Sequence, residues 1–472
     1  MPPSILRNIP SVNELLDSQP LKRLSDSVSR RVVVSGVRSF LETLRQEAQT
    51  TANEVVVPVG AELAERIASW IMTSEQAPLR PVINATGILL HTGLGRAPLA
   101  PDALSNINEL AEGYCSLEVD LESGKRSHRH EAVEKLLRDL TGAEASFIAN
   151  NNAGATLLTL AALAGEREVI VSRGELVEIG GSYRLPNVME ASGARLREIG
   201  TTNKTRLDDY EKALSAETGA LLKVHTSNYA IVGFTEEVSI KDLAPLAHRN
   251  QLPVIHDIGS GALVDYSRFG LVGEPVVTDS IQEGADVVLF SGDKLLGGPQ
   301  CGIIVGRRAY VEQIRKHPLA RAFRVGKLTL AALAATLRHY RDPEVAEQRV
   351  PLLSLLSTSV ENLKLRAERL APQLAAATVI ESAESQQDVT YLGGGSVPGQ
   401  QIPTWCVALQ PATGRIDQLA HQLRTGTPAI FGRLQQDHLL LDLRSVFPSQ
   451  DEQIVETVCR LEQNEPVDEV QT

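Results

Sequence analysis

The spacing of hydrophobic and polar positions changes twice along this chain. In residues 1–75, three segments carry apolar residues at helical spacing, namely "SVNELLDS", "GVRSFLETLRQEAQ" and "GAELAERIASWIM". This spacing predicts short amphipathic helices. The segment "SEQAPLRPV" at 74–82 contains two prolines and predicts a linker. The pattern therefore predicts a small helical N-terminal domain over residues 1–75.

The pattern from residue 82 to about 340 alternates between short β-rich runs and helical stretches. The predicted strands are "REVIVSR", "ALLKVHTS", "LPVIHDIG", "ADVVLFSG" and "CGIIVG". Helical patterns such as "HEAVEKLLRDLTG" and "IKDLAPLAHRN" fall between them. Such alternation is typical of a mainly parallel sheet covered by helices on both faces. Residues 82–340 are therefore predicted to form a large α/β domain.

Residues 341–472 are predicted to form a smaller α+β domain. A long helical stretch near 351–375 leads into strands near "TWCVALQ" and "HLLLDLRSV". At 472 residues the chain exceeds the size at which a single hydrophobic core stops growing, so two or three domains are expected.

Composition restricts the class of protein. The 43% hydrophobic and 22% charged residues are ordinary for a soluble globular protein. The four cysteines lie far apart without a CxxC pair, so neither a disulfide framework nor a zinc site is indicated, and no metal is expected. No apolar run reaches membrane-spanning length, and "MPPSILRNIP" lacks the apolar region of a secretory signal. A cytoplasmic protein without a membrane partner is expected.

The distribution of charge separates the N-terminal segment from the rest. The net charge of −12 argues against a general nucleic-acid binder, which is normally basic. Residues 1–45, however, carry seven Lys/Arg against four Asp/Glu, a net of +3. The acidity therefore lies outside this segment.

One lysine stands in an unusual place. In "ADVVLFSGDKLLGGPQCGIIVG" (285–306), Lys294 lies between two runs that are both predicted to be buried strands. Ligands in open α/β sheets gather at the carboxyl ends of strands. Asp257 in "VIHDIGSGAL" also follows an apolar strand. Each residue alone has an ordinary structural explanation. A lone lysine on a turn is usually a surface residue, and a strand-end aspartate is often only a helix cap.

A third element changes that interpretation. "NNNAGATLLTLAAL" begins a helix with the small residues Ala153, Gly154 and Ala155, a geometry that can hold a phosphate on backbone N–H groups. Lysine, strand-end aspartate and anion-binding helix start are what pyridoxal 5′-phosphate (PLP) requires, because Lys294 can form the Schiff base and Asp257 can keep the pyridinium nitrogen protonated. Ser291 can add a hydroxyl to the phosphate site. Together these residues predict a PLP enzyme.

Four longer motifs then resemble a known family. They are "VINATGILLHTGLGRAPL" (82–99), "GSYRLPNVMEASGARLREIGTTNKT" (181–205), "KVHTSNYAIVGFTEEV" (223–238) and "SGDKLLGGPQCGIIVG" (291–306). They resemble the bacterial selenocysteine synthases, the L-seryl-tRNA(Sec) selenium transferases, and the resemblance covers essentially the whole chain.

The resemblance implies a fold, a reaction and partners. The fold is the PLP-dependent transferase fold type I, that of the aspartate aminotransferases. The reaction converts L-seryl-tRNA(Sec) to L-selenocysteinyl-tRNA(Sec) through a PLP-bound aminoacrylyl intermediate, with selenophosphate as selenium donor. The N-terminal domain is expected to read the tRNA, with Arg30 and Arg31 as candidate phosphate contacts. A homo-oligomer is expected, built from dimers with a shared active site and possibly a decamer.

The resemblance also assigns candidate roles to charged residues. Lys294 is the expected base for the α-proton, and Asp293 is a candidate to assist proton transfer to the leaving hydroxyl, although a solvated turn acid explains it as well. The anionic selenium donor requires cations that are not tied to carboxylates. The candidates are Arg96 in "GLGRAP", and Arg321 with Arg324, which are spaced i, i+3 and would share one face if that stretch is helical.

Some features leave alternatives open. His128 and His130 lie in "ESGKRSHRHEAVEKLL", where a solvated helix start, a contact with cofactor phosphate or tRNA in a neighbouring subunit, and a weakly indicated metal site all fit. Arg433 and Arg444 could bind a substrate carboxylate, a role that seryl-tRNA leaves idle because its carboxylate is esterified. The alternative functions are a small-molecule PLP-dependent lyase and a non-catalytic tRNA-binding protein of this fold.

Overall fold

The computed structural model describes residues 10–50, 60–74, 79–129, 131–181 and 183–461. The chain divides into two compact units, Met1–Pro81 and Val82–Thr472.

The first unit is helical. Its helices are α1 (Val12–Leu16), α2 (Gln19–Leu24), α3 (Arg30–Thr50) and α4 (Ala61–Ser74). Apolar side chains from all four form one core, and α3 and α4 approach closely because a Cβ atom on Gly36 would lie only 2.5 Å from Cγ1 of Ile71. The three predicted helices are confirmed as α1, α3 and α4, whereas α2 had no prediction. Residues 75–78 of the predicted linker lie outside the described residues.

The second unit contains all the described strands. In chain order they are β1 (Val82–Asn84), β2 (Ala145–Ala149), β3 (Glu168–Ser172), β4 (Glu178–Ile179), β5 (Tyr183–Arg184), β6 (Arg195–Ile199), β7 (Thr218–Val224), β8 (Val254–Gly259), β9 (Val287–Ser291), β10 (Gly302–Gly306), β11 (Ile380–Thr390), β12 (Ile402–Pro411), β13 (Ala429–Phe431), β14 (Arg433–Gln435) and β15 (His438–Asp442).

The helices of the second unit surround these strands. They are α5 (Pro101–Ala111), α6 (Glu131–Thr141), α7 (Asn152–Ala164), α8 (Leu185–Ala191), α9 (Leu207–Ala213), α10 (Ile240–Arg249), α11 (Val277–Gln282), α12 (Arg308–Lys316), α13 (Leu319–Ala322), α14 (Lys327–His339), α15 (Pro343–Arg349), α16 (Pro351–Ser357), α17 (Val360–Ala375), α18 (Ile416–Thr425) and α19 (Asp451–Cys459). None of the described helices is both long and apolar enough to cross a bilayer.

The central sheet has seven strands in the order β2–β10–β9–β8–β7–β3–β6. The pairs from β9 to β6 are parallel, and β10 is antiparallel to both of its neighbours. All five predicted strands of this region are confirmed, and the mainly parallel sheet with them. β2 and β6 had no prediction. β6 is an edge strand with mostly exposed side chains, so it lacks the buried apolar run by which the other strands are recognised.

Helices cover both faces of this sheet, as predicted. Side chains alternate along each strand. In β7, Leu221 packs into one core with residues of α6, α10 and α14, whereas Ala220 and Leu222 pack into a second core with residues of α7, α8 and α12.

The C-terminal part forms a second sheet in the order β11–β12–β15–β14, with antiparallel pairing throughout. The predicted strands near "TWCVALQ" and "HLLLDLRSV" are confirmed as β12 and β15. The helical stretch near 351–375 is two helices, α16 and α17, because the Ser359 side chain accepts the Asn362 N–H and starts a new helix. β1 pairs in parallel with β13, and Ile83 packs into the core of this C-terminal layer.

Candidate active site

Lys294 is fixed by the turn that follows β9. The Tyr266 hydroxyl donates to the carbonyl of Leu295 at 2.6 Å, and the Tyr340 hydroxyl donates to the carbonyl of Leu296 at 2.8 Å. These two buried hydrogen bonds hold the backbone immediately after Lys294, whose side chain is only 5% exposed. Burial, together with the positive charge of Arg96, lowers the pKa of Lys294. A buried lysine with a lowered pKa is suited to act as a nucleophile and base.

Asp257 lies on β8 and is also buried. Its Oδ1 accepts a hydrogen bond from Nδ2 of Asn152 at 2.8 Å, and its Oδ2 accepts one from the Thr156 hydroxyl at 2.7 Å. Burial raises the pKa of Asp257, and these hydrogen bonds oppose that shift. The sequence interpretation found Asp257 but missed both donors. Their positions at i, i+4 in "NNNAGAT" were the available signal, since such residues share one face of a helix.

The start of α7 corrects part of the predicted phosphate site. The Asn151 side chain caps this helix by accepting the Gly154 N–H at 2.8 Å, and the Ala155 N–H donates to the Asn151 carbonyl at 3.0 Å. The N–H groups of Gly154 and Ala155 are therefore engaged within the helix. Ala153 remains, and it lines the same cavity as Lys294.

A cavity of about 350 Å³ brings most of the predicted residues together. Its lining includes Arg96, Ala153, Asp257, Ser291, Asp293 and Lys294. Buried polar atoms of the lining that have no hydrogen-bond partner in the described part of the chain include Oδ1 of Asn152 and Oγ of Ser227. Unpaired polar atoms of this kind are unfavourable unless a ligand satisfies them. The donor set fits PLP, which needs an amine, a carboxylate and hydrogen-bond partners for its ring and phosphate.

Arg96 contacts Asp293 rather than standing free. Arg96 has a left-handed backbone (φ 62°) directly after Gly95 (φ 94°). Its Nη1 donates to Oδ2 of Asp293 at 2.8 Å, and the two side chains are 28% and 10% exposed. The expectation of a cation not tied to a carboxylate is therefore wrong for Arg96. The ion pair instead holds both side chains at the Lys294 cavity.

Arg321 and Arg324 line a different cavity, of about 410 Å³, together with Arg129 and His128. Helix α13 ends at Ala322, so the stretch is not helical as far as Arg324 and the two arginines do not share a helix face. Nη1 of Arg324 lies 3.7 Å from Oε1 of Glu118, so Arg324 is not free of carboxylates either. Within the described residues, Arg321 forms no ion pair. Lys294 is absent from the lining of this basic cavity.

The remaining candidates are structural or untested. Arg444 is buried and donates to the backbone carbonyls of Thr358 and Pro403, and Arg433 contacts Asp388 at 2.6 Å, so neither stands free to bind a substrate carboxylate. His130 lies outside the described residues. No group of three or more His, Cys, Asp and Glu side chains within the described ranges could hold a metal ion.

Two features of the site had no counterpart in the sequence interpretation. Nε2 of His225 lies 3.4 Å from Oε1 of the buried Glu274, and His225 lines the Lys294 cavity. The run Gly393–Gly395 has three consecutive positive φ angles, and a Cβ atom on Gly395 would lie 3.9 Å from Nζ of Lys294. This glycine turn therefore forms part of the immediate surroundings of the lysine.

The first unit carries a basic surface on α3. Arg30, Arg31 and Arg38 are exposed and line a shallow depression together with Val34 and Ser35. None of the three arginines forms an ion pair with another described residue. Unpaired guanidinium groups on one helix are suited to contact phosphates.

Comparisons with known proteins agree with these observations. Residues 82–447 match the family described as L-seryl-tRNA selenium transferase, and residues 6–45 match a family described as selenocysteine synthase N terminal. The chain is 47% identical over 444 residues to an L-seryl-tRNA(Sec) selenium transferase of Geobacter sulfurreducens, covering 94% of this chain and 96% of that protein. It is 45% identical to the protein of the same name from Moorella thermoacetica, covering 97% of each chain.

A solved structure shows the same fold. A D-glucosaminate-6-phosphate ammonia-lyase matches with a TM-score of 0.55 and 23% identity, covering 80% of this chain and 95% of that chain. The expectation of fold type I of the PLP-dependent transferases is confirmed by this likeness together with the mainly parallel sheet.

Proposed function

The chain belongs to the L-seryl-tRNA(Sec) selenium transferase family, and from this premise we propose that it converts L-seryl-tRNA(Sec) to L-selenocysteinyl-tRNA(Sec), with PLP as cofactor and selenophosphate as selenium donor. The observation that carries the proposal is the shared cavity of Lys294 and Asp257. Lys294 is buried with a lowered pKa, and Asp257 is held by two hydrogen bonds.

Each residue of this cavity has a separate proposed role towards the cofactor or the substrate. Bound PLP supplies an electron sink for cleavage of the bond between the α-carbon and its proton. Lys294 would hold the cofactor through Nζ and, when that atom is free, would take the α-proton of the substrate. Asp257 keeps the ring nitrogen protonated, and Asn152 and Thr156 orient its carboxylate. The Ala153 N–H and the Ser291 hydroxyl bind the phosphate.

Asp293 has a different role from the one suggested by its place in the sequence. Its contact with Arg96 favours a positioning role, in which Asp293 directs the guanidinium towards the Lys294 cavity. Proton transfer to the leaving hydroxyl becomes the less favoured role. Arg96 then presents a planar donor group to an incoming anion, the geometry that suits a phosphate-like group.

Arg321 and Arg324 are proposed to bind the selenium donor as well, although within one chain they line a cavity separate from that of Lys294. An isologous dimer with a shared active site would resolve this separation, because one subunit can supply the basic cavity and its partner the lysine. We therefore include a dimer-built homo-oligomer, possibly a decamer, in the proposal. The cytoplasm is the proposed location, since the substrate is an aminoacylated tRNA.

The direct test is a reaction with defined components. Purified protein is incubated with seryl-tRNA(Sec), PLP and selenophosphate, and the amino acid released from the tRNA is identified. Selenocysteine is the expected product, with none formed by Lys294→Ala. Production of pyruvate from free serine without selenium incorporation would instead indicate a small-molecule lyase. Binding of tRNA without any turnover would indicate a non-catalytic protein.

The N-terminal unit is proposed to read the tRNA, because its basic helix α3 is exposed and residues 6–45 match the selenocysteine synthase N-terminal family. Deletion of residues 1–75 should leave a folded protein that binds PLP but has lost most affinity for seryl-tRNA(Sec). Arg30→Ala combined with Arg31→Ala should weaken binding less and reduce the dependence of log Kd on log salt by about 0.7–0.9 per lost phosphate contact.

Filter binding and a sizing column separate this role from a purely structural one. Arg415→Ala, at an exposed position in the C-terminal layer, is the matched control and should leave binding unchanged. If the truncated protein keeps its oligomeric mass and binds the tRNA as tightly as the full chain, the tRNA-reading role is excluded.

A further inference from the structure

A second polar cavity adjoins the Lys294 cavity. It has a volume of about 290 Å³, and His225 lines both cavities. Its walls include Thr201, Asn203, Lys204, Thr205, His225 and Glu274. We call it the threonine cavity. We propose that it binds the 3′-terminal nucleotide of the aminoacylated RNA substrate. The inference rests on the proposed function, because it names where part of that substrate lies.

The covalent structure of the substrate requires a binding site for the terminal nucleotide beside the Lys294 cavity. The seryl group is esterified directly to the ribose of the terminal nucleotide, so the ribose must lie within a few bonds of the carbon that reacts beside Lys294. A cavity that shares a wall with the Lys294 cavity meets this requirement. The basic cavity of Arg321 and Arg324 does not, since none of the described residues lines both it and the Lys294 cavity.

The walls of the threonine cavity are held together by hydrogen bonds. Nδ2 of Asn203 donates to the carbonyl of Phe234 at 2.6 Å, and the Thr205 N–H donates to the carbonyl of Glu236 at 2.9 Å. The Glu236 N–H donates in turn to the carbonyl of Asn203 at 3.0 Å. These contacts join two segments of sequence, 200–205 and 233–237, into one preformed wall.

Each acidic residue in this wall contacts a basic side chain. Glu175 and Glu237 both contact Nζ of Lys223, at 3.1 and 3.0 Å. The Glu236 carboxylate contacts Nε of Arg206 at 3.1 Å, and the Glu274 carboxylate lies against His225.

Lys204 is the exception among the charged residues of the wall. It lines the cavity and forms no ion pair with any described residue. Its ammonium group is therefore available to contact an RNA phosphate.

The cavity also offers groups for a ribose and a base. Glu274 is 2% exposed at its side chain, and its Oε2 atom has no hydrogen-bond partner within the described ranges. A buried carboxylate oxygen of this kind can accept a hydrogen bond from a ribose hydroxyl or an exocyclic amine. Phe234 immediately precedes Thr235, which lines the cavity, and it is 88% exposed. Exposed aromatic side chains are groups on which unpaired bases can stack.

The test measures steady-state kinetics of the full-length holoenzyme with seryl-tRNA(Sec), together with competition by the trinucleotide CCA. Lys204→Gln should raise KM by about fivefold to tenfold, as expected for one lost charge-assisted contact, with kcat within about twofold of the parent. Phe234→Ala should raise KM by about tenfold through lost stacking. Both variants should also weaken inhibition by CCA. Lys364→Gln and Leu365→Ala on α17 are matched controls and should change neither constant.

The outcomes separate this inference from the proposed function. If the parent protein forms no selenocysteinyl-tRNA(Sec), the proposed function fails. If the parent protein is active and both variants keep the parent KM and CCA inhibition, the threonine cavity does not bind the nucleotide. A fall confined to kcat also overturns the inference. A changed oligomeric mass on a sizing column would show that this face is a contact between subunits, and would overturn it too.

Discussion

Replacing Asp257 by asparagine tests whether the carboxylate acts on the cofactor or only supports the fold. Asp257 is 4% exposed and accepts hydrogen bonds from Asn152 at 2.8 Å and from Thr156 at 2.7 Å. Asparagine has almost the same shape, but it offers one acceptor oxygen and one NH₂ group. It can therefore accept from Nδ2 of Asn152 through its oxygen and donate its NH₂ group to the Thr156 hydroxyl, which can in turn donate to the carbonyl of Asn152 at 2.9 Å. It also lacks the negative charge that the ring nitrogen of bound PLP requires.

The size of the effect follows from these contacts. Because both hydrogen bonds can be replaced in the variant, the free energy of unfolding should change little. Loss of the charge opposite the ring nitrogen acts where negative charge develops in the transition state, and removal of one such interaction costs about 2.7–4 kcal/mol. We therefore expect kcat to fall by about 10² to 10³. Cofactor binding should weaken much less, because the phosphate and lysine contacts remain.

The assay measures kcat and KM with seryl-tRNA(Sec), and the cofactor absorbance that remains after dialysis. Asp286→Asn is a matched control. Asp286 is fully buried and accepts from the Val254 N–H at 2.8 Å and contacts His248 at 3.0 Å, but it precedes β9, at the opposite end of that strand from Lys294. The Asp286→Asn substitution should lower the free energy of unfolding and leave kcat of the folded protein unchanged. An unchanged kcat in Asp257→Asn with only weaker PLP binding would refute the role given to Asp257. Equal losses of kcat in both variants would refute it as well.

Three further outcomes are expected. Lys294→Ala should lose both the visible absorbance that resists dialysis and all turnover, and turnover at the parent rate would contradict the assignment. Tyr340→Phe leaves the carbonyl of Leu296 without its donor and should lower the free energy of unfolding by about 1–3 kcal/mol in denaturant titrations. Burial lowers the pKa of His256 from 6.5 to about 3, so between these values the unfolded chain binds more protons and stability should decrease as pH falls from about 6.5 towards 3. His256→Gln should flatten that dependence, and an unchanged pH profile of unfolding would show that His256 does not contribute to it.

Local sequence signals were sufficient to predict several elements and the chemistry at their ends. The buried strands of the central sheet are continuous apolar runs, which a parallel sheet covered on both faces requires. Lys294 and Asp257 were identified because each follows such a run, and the carboxyl ends of parallel strands meet at one edge of the sheet. The basic character of α3 is likewise visible in composition alone.

The contacts that define the site depend on residues far apart in the chain. Arg96 and Asp293 are 197 positions apart, and Asn152 and Asp257 are 105 apart. Nothing in local spacing shows that the left-handed backbone at Arg96 turns its guanidinium onto Asp293. For the same reason, two of the three arginines predicted to be free of carboxylates, Arg96 and Arg324, were found paired with one.

The residues that surround Lys294 come from segments that are distant in sequence. The glycine turn at Gly393–Gly395 comes from the segment that joins β11 to β12, and nonetheless approaches Nζ of Lys294. The threonine cavity is assembled from segments near 201–205, 225–237 and 272–274. Spacing along a chain encodes which face of an element is buried, because that depends on nearest neighbours. Which elements meet across a cavity depends instead on packing of the whole unit, and that information is distributed over the entire sequence.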